Sequence, residues 1–240
     1  MELDKQKVLL KEFNRVARRV TPPTGLTAIR QSLGRWISLN MTVLLQGLGY
    51  NKSTIANFKG EQLILNIGCG TITDSSYINA DLFPLLSTVA QVIAGKKEWE
   101  LDLLINLPYY DRNLSNCADG IVVSHVLEHL PPTLAIGALC NCLDYLKSGG
   151  CMRISVPYLG AYDLASLPPN QGLTNQMLAK NSLIYSWGHQ FMYDAELLTA
   201  LMEKAGFSDV KEVAFQEGLL YETDLKSRQQ ESIYLTGIKP

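Results

Sequence analysis

The residues with chemistry to offer cluster where apolar runs end. Leu63-Ile64-Leu65-Asn66-Ile67 closes on Gly68-Cys69-Gly70-Thr71, and glycines at a strand exit let backbone approach a ligand that side chains would block. A second short run, Tyr77–Ala80, ends in Asp81, a carboxylate placed to take both hydroxyls of a ribose. Its competing use is to cap a helix ahead of Leu82-Phe83-Pro84. Asp102, in Glu100-Leu101-Asp102-Leu103 before Leu107-Pro108, is placed to accept from an adenine amino group. A third run, Gly120–Val123, bursts into Ser124-His125-Val126-Leu127-Glu128-His129, which puts two imidazoles and a carboxylate at one strand end. Open α/β sheets bind ligands outside the carboxyl ends of their strands, so these segments are expected to share a site.

Two other chemistries are weighed on the same residues. The full dinucleotide pattern fails because Ile72 and Asp74 stand where further glycines belong, and there is no Gly-Lys-Ser/Thr phosphate loop. His125 to His129 also fits H-x-x-E-H, the inverted zinc-peptidase pattern, with Glu196 or Glu203 as a third ligand. That reading needs a helix through the motif, yet the segment follows a strand and meets Pro131-Pro132 at once.

The elements that position these residues follow from periodicity. Leu63–Ile67, Tyr77–Ala80, Gly120–Val123 and Met152–Val156 read as buried parallel strands. Pro132 to Leu146 has helical spacing and is expected to end in a basic last turn at Lys147, followed by Gly149-Gly150. Asp194 to Ala205 reads as a helix capped by Asp194 and stopped by Gly206. Val210–Phe215 and Ser232–Gly237 close the chain as strands with no helix between them, which allows antiparallel pairing. Only 13 positions separate Gly68 from Asp81, against about 20 in a dinucleotide fold, so the first crossover has no room for a full helix. The whole is a mostly parallel α/β sheet.

Ahead of that sheet, Val8, Leu9, Phe13, Val16 and Val20 recur at helical spacing until Pro22-Pro23. A second helix is expected over roughly Leu26 to Leu48. Residues 1–60 hold ten Lys/Arg against three Asp/Glu, a local +7, which leaves −9 for residues 61–240 although the chain's net charge is only −2. The two parts are read as a helical N-terminal extension (1–60) and a catalytic domain (61–240), the basic excess suiting peripheral contact with an anionic surface or docking on the acidic remainder.

Composition bounds the rest. With 240 residues, 47% hydrophobic and 18% charged, the chain suits a compact domain rather than a disordered or fibrous one. Five cysteines make no paired framework, and with no signal-like N-terminal run the expected setting is cytoplasmic. No apolar stretch is long enough to span a membrane, and no aromatic-basic interleaving suggests a nucleic-acid partner.

Taken in order, Leu65-Asn66-Ile67-Gly68-Cys69-Gly70, Ile78-Asn79-Ala80-Asp81, Asp102-Leu103 with Leu107-Pro108, Ser124-His125-Val126-Leu127-Glu128-His129, Leu146-Lys147-Ser148-Gly149-Gly150 and Arg153-Ile154-Ser155-Val156-Pro157 resemble the class I S-adenosylmethionine-dependent methyltransferases. The string is similar in particular to the bacterial branch linked to surface-polysaccharide synthesis. The resemblance covers residues 62–157 well and extends loosely through His189-x-x-x-Tyr193-Asp194 and Ala205-Gly206-Phe207 to the last strands. It implies a Rossmann-like, seven-stranded sheet with an antiparallel closing strand, S-adenosylmethionine as cofactor, and a small-molecule or glycan acceptor. It places Gly68, Cys69 and Gly70 at the methionine end of the cofactor, Asp81 and Leu82 at the ribose, Asp102 and Leu103 at the adenine, and Ser124 and His125 at the reaction mouth. Asn66 stands where the superfamily usually has Asp or Glu, and it can still hydrogen-bond the cofactor's ammonium without charge assistance.

For a hydroxyl acceptor a base must take a proton, and His125 is the first candidate, with His129 and His189 behind it. The ordinary alternatives are a capping His129, a loop His189 and a purely packing Cys69. Residues 157–188, with Tyr158, Tyr162, Pro168, Pro169, Tyr185 and Trp187, are expected to form the substrate or lid region. A protein that binds the cofactor without turnover, as a scaffold, is the second functional reading.

Overall fold

The computed structural model describes residues 2–58, 62–95, 100–162 and 173–240; Pro168 and Pro169 lie outside them. In chain order the elements are α1 (Glu2–Val20), α2 (Gly25–Gly47), α3 (Asn51–Asn57), β1 (Ile64–Ile67), β2 (Ile78–Asp81), α4 (Leu86–Ile93), β3 (Leu103–Leu104), β4 (Ala118–Ser124), α5 (Pro132–Tyr145), β5 (Leu146–Pro157), α6 (Gln176–Tyr185), α7 (Ala195–Ala205), β6 (Ser208–Val213) and β7 (Ser232–Ile238). The strands form one seven-stranded sheet in the order β3-β2-β1-β4-β5-β7-β6. Strands β1 to β5 run parallel, and β7 pairs antiparallel with both β5 and β6. The reversal of strand order falls between β1 and β4, where a ligand crevice opens in such sheets.

The central strands are apolar on both faces because helices cover both. Leu65, Ile67, Ile121, Val123, Met152, Ile154 and Leu235 are all buried in one core with Leu139, Cys142 and Tyr145 of α5 and Leu198 and Met202 of α7. Proline at the first position fits the start of α5. Asp194 caps α7 by accepting the Leu197 amide at 2.8 Å, and Gly206 ends it in the left-handed region at φ 109°. Residues 68–77 hold only turns, as the short spacing requires.

Two sequence expectations shift. Lys147 is not in a helical last turn: α5 stops at Tyr145 and β5 begins at Leu146, because Leu146 pairs with Ala118 and Lys147 reaches Asp119 across the ladder at 2.7 Å. A seven-residue helix, α3, follows α2, too short for its periodicity to stand out. The extension is also firmly attached. Buried Ser38, Thr42 and Gln46 of α2 bond the main chain at Phe83, Asn106 and Tyr109, and Asn51 of α3 takes the Leu104 amide and donates to Asp111. On α1, buried Glu12 accepts from the Thr174 amide and hydroxyl at 3.1 and 2.9 Å, and Val16 joins a second small core with Tyr162, Leu173, Ala179 and Leu183. The extension therefore grips both the β3 edge and the region around α6. Among the described residues no helix is long and apolar enough to cross a membrane.

Candidate active site

β1 ends at Ile67 and the chain turns through Gly68 at φ 75°. A Cβ on Gly68 would lie 2.2 Å from Val126 Cγ2, so glycine is required by the close pass of the turns after β1 and β4. The Gly68 and Cys69 amides both donate to Ala80 O, at 2.7 and 3.2 Å. Gly70 also has positive φ, 58°, but a Cβ there meets nothing within 4 Å, so its face opens on free space. Asp81 ties this turn to the end of β2: one carboxylate oxygen accepts the Gly70 amide at 2.8 Å and the other the Leu82 amide at 2.6 Å. The helix-cap alternative for Asp81 does not hold, since α4 starts at Leu86 behind a Leu85 cap.

Two hollows meet at Gly70 and Thr71. The larger, about 450 Å³, brings together Asn66, Gly68, Cys69, Gly70, Ser124 and His125. The other, about 290 Å³, runs from Gly70 and Asp81 to Leu82, Phe83, Leu85 and Leu101, with Ser38 of α2 in its wall. Eight of the sequence-derived positions therefore line one continuous groove.

Asp102 and Leu103 line neither hollow. The Asp102 carboxylate accepts the Asn79 amide at 2.8 Å and borders an adjoining depression that shares Glu100 with one hollow and Thr73, Asp74 and Tyr77 with the other, while Leu103 is completely buried. Leu82, Phe83 and Leu101 stand at that end of the groove instead. Asn66 donates to Ile72 O and Asn79 Oδ1, both at 3.2 Å, and so braces the 72–79 turn. Cys69 is buried, and burial reinforced by the Asp81 charge pushes its thiol up to about 12, which leaves it protonated and unreactive at neutral pH.

At the mouth, His125 sits at φ 55°, a strained position for a side chain this large. Its amide donates to Ser155 O at 2.9 Å, its Nε2 lies 2.7 Å from Ser232 Oγ, and its Nδ1 lies 3.4 Å from Glu128 Oε1. Ser124 Oγ is met by Ser155 Oγ at 2.9 Å and by Arg228 at 3.3 Å. His129 and His189 are not on the groove but on its flank, with ring centroids 4.9 Å apart. Burial lowers the pKa of His189 and favours its neutral form. The H-x-x-E-H helix is absent: residues Leu127–His129 form a single 3-10 turn. The two imidazoles of the motif therefore do not lie one α-turn apart, and Glu128, not a histidine, is its buried centre.

Sequence reasoning missed one wall. Glu222, Thr223, Leu225 and Arg228 reach the larger hollow from the segment between β6 and β7. Arg153, only 1% exposed on β5, holds that segment by a two-pronged pair with Asp224, at 2.6 and 2.5 Å, and by bonds to Glu217 O and Leu219 O. A lone arginine inside an apolar strand was the available sign.

Against known families, residues 56–212 match the model of a methyltransferase domain. The structure is similar to a SAM-dependent methyltransferase from Archaeoglobus fulgidus, with 18% identity, 82% of this chain and 94% of that one covered, and a TM-score of 0.47. It is also similar to phosphoethanolamine N-methyltransferase 2 of Haemonchus contortus, with 12% identity over 80% of this chain and 52% of that one and a TM-score of 0.45. For PigF the figures are 17%, 77%, 53% and 0.48; this chain thus spans about half the length of the latter two. No curated protein matches it. The family assignment rests on the matched domain, which exceeds half the chain.

Proposed function

This chain belongs to the methyltransferase-domain family, and we propose that it takes S-adenosylmethionine as its cofactor and methylates a hydroxyl of a glycan or other small-molecule acceptor. The observation that carries the reading is the continuous groove across the ends of β1, β2 and β4, with a carboxylate at one end and an imidazole at the other. The residues suit the cofactor's parts. Gly70 offers the open face that a Cβ would fill. Asp81 spends one lone pair of each oxygen on backbone and keeps the others for two ribose hydroxyls. Leu82, Phe83 and Leu101 supply apolar walls for a flat base. Asn66, Gly68 and Cys69 border the half of the groove toward His125. When bound, the cofactor supplies an electrophilic methyl group.

The chain's own work is alignment, exclusion of water and removal of one proton. His125 is the base: the Glu128 carboxylate 3.4 Å from Nδ1 orients the ring and directs the Nε2 lone pair to the acceptor hydroxyl, whose proton it takes. Ser232, 2.7 Å from Nε2, holds that nitrogen's position until the acceptor arrives. A sugar acceptor, as in the bacterial branch that builds surface polysaccharide, fits the exposed Tyr158, Tyr185 and Trp187 of the 157–188 region, whose flat faces suit a sugar ring.

In this reading residues 61–240 carry the chemistry and residues 1–60 carry location. Val8, Leu9, Phe13, Ile29, Leu33 and Trp36 are exposed alongside Lys7, Lys11, Arg18, Arg30 and Arg35, a combination that suits an anionic lipid surface bearing a lipid-linked acceptor. Co-sedimentation should rise with the anionic lipid content of vesicles and fall with salt; equal affinity for neutral vesicles would remove this assignment. The transfer reaction itself is tested with a ¹³C-methyl-labelled cofactor and a panel of glycans, lipid-linked sugars and phenols. A new O-methyl resonance, lost in His125→Ala with cofactor affinity retained, is expected; turnover with none of these acceptors would refute the proposal.

A further inference from the structure

Glu128 is completely buried, yet neither of its carboxylate oxygens has a hydrogen-bond partner among the described residues. An ionised carboxylate in that state costs several kcal/mol unless something positive compensates it, and the side chains facing it are histidines. His129 Nε2 lies 3.8 Å from Glu128 Oε1, and the ligand atoms of Glu128, His129 and His189 all lie within 4.8 Å of one another. Metal–ligand bonds to N and O run at roughly 2.0–2.2 Å, so a small inward movement closes such a set on one ion. His129, with a side chain 35% exposed, has room to make it.

The two halves of this cluster are far apart in sequence but fastened together. Glu128 O accepts the Gln190 and Phe191 amides at 2.7 and 3.3 Å, and Gln190 Nε2 donates to His129 O at 2.6 Å. His189 Nδ1 lies 2.6 Å from Leu183 O. A carbonyl only accepts, so Nδ1 carries the proton and the Nε2 lone pair is free, the outer-shell arrangement that metal-binding histidines use. The Tyr193 hydroxyl is likewise buried with no hydrogen-bond partner among the described residues, and burial first and Glu128 second push its pKa up to about 12.

We propose that Glu128, His129 and His189 bind a divalent first-row transition-metal ion on the flank of the groove. One carboxylate and two imidazoles suit Mn²⁺, Fe²⁺, Co²⁺ or Zn²⁺ better than Mg²⁺ or Ca²⁺, which prefer all-oxygen sets. Three protein ligands leave coordination positions free, and His125, which touches the same carboxylate, puts the site next to the reaction mouth. Its role in catalysis rests on the methyl-transfer reading: the ion would hold the acceptor oxygen and make its hydroxyl more acidic beside His125. The site differs from the peptidase pattern in using Glu128 as a ligand and leaving His125 out.

The test uses the full chain, stripped with chelator, and metal ions alone as probes. Mn²⁺ titration followed by electron paramagnetic resonance, and Co²⁺ titration followed by visible absorption, should each show one equivalent bound. Glu128→Gln and His189→Asn should each weaken binding by more than the roughly 10–100-fold typical of an outer-shell change. Glu128→Gln keeps the shape of the side chain while removing a buried carboxylate that has no hydrogen-bond partner among the described residues, so its metal-free form should melt no lower than metal-free wild type. Wild type that binds neither ion at millimolar concentration, or variants that bind like wild type, would overturn the site. Titration of the same samples with S-adenosylhomocysteine separates the two ideas. Nucleoside binding without metal binding rejects the metal site alone, and metal binding without nucleoside binding rejects the cofactor groove alone.

Discussion

Replacing Asp81 by Asn probes the cofactor groove with little change in shape. In the native protein each carboxylate oxygen accepts one backbone amide, from Gly70 at 2.8 Å and Leu82 at 2.6 Å. Asparagine keeps one acceptor and turns an NH2 group toward the other amide. Two charge-assisted bonds to the ribose, about 1.5–3 kcal/mol each, become one neutral bond of about 0.5–1.5 kcal/mol. The net loss is about 1.5–5.5 kcal/mol, or roughly 10- to 10,000-fold in Kd. Folding should lose much less, on the order of 1 kcal/mol for one unsatisfied amide near the surface. Calorimetric titration with S-adenosylhomocysteine reads the first quantity and urea denaturation the second. A 2′-deoxy analogue completes the cycle: it should bind wild type more weakly than the parent compound, and Asp81→Asn with little further loss. Wild-type affinity in a stably folded Asp81→Asn protein would refute the ribose assignment.

Other expectations follow from single contacts. Gly70→Ala should fold with a loss of about 1 kcal/mol for its positive φ, yet bind the cofactor at least tenfold more weakly in the same calorimetric assay, because the new methyl enters the open face. Arg153→Met leaves Asp224, 3% exposed, without its cationic partner and should cost about 3–5 kcal/mol in urea denaturation, with much of the loss recovered in the double variant carrying Asp224→Leu. Burial raises the thiols of Cys69 and Cys142 to about 12 and of Cys117 to about 11, so at pH 8 these three stay neutral. Iodoacetamide read by mass spectrometry should label the exposed Cys140 first.

The sheet was legible because parallel strands covered on both faces appear as unbroken apolar runs, and because Gly68 marks a turn whose close pass a side chain would block. The groove's polar ends, Asp81 and His125, were legible for the same reason, since each follows directly on such a run. Where Asp102 sits relative to the two hollows was not legible, because register is not written in spacing. β3 is only two residues long, and Asp102 falls one step before it, opposite Asn79. Ser38, Thr42, Gln46 and Asn51 resemble an ordinary polar helix face until their backbone partners 41 to 63 residues away are known. The spacing of H-x-x-E-H drew attention to its two histidines, whereas the complete burial of Glu128 between them, with no hydrogen-bond partner among the described residues, is not written in the sequence. The wall supplied by Glu222 to Arg228 has no periodicity, and only the buried Arg153 announces it.

In the proposed complex the nucleoside lies across the tips of β1, β2 and β4 with its sugar on Asp81. A crystal structure of the protein with S-adenosylhomocysteine tests this most directly. Both ribose hydroxyls are expected within hydrogen-bond distance of the Asp81 carboxylate, with the homocysteine chain beside Gly68 and Gly70 and its sulfur pointing toward His125. Density for the nucleoside elsewhere, or a ribose that does not touch Asp81, would contradict it.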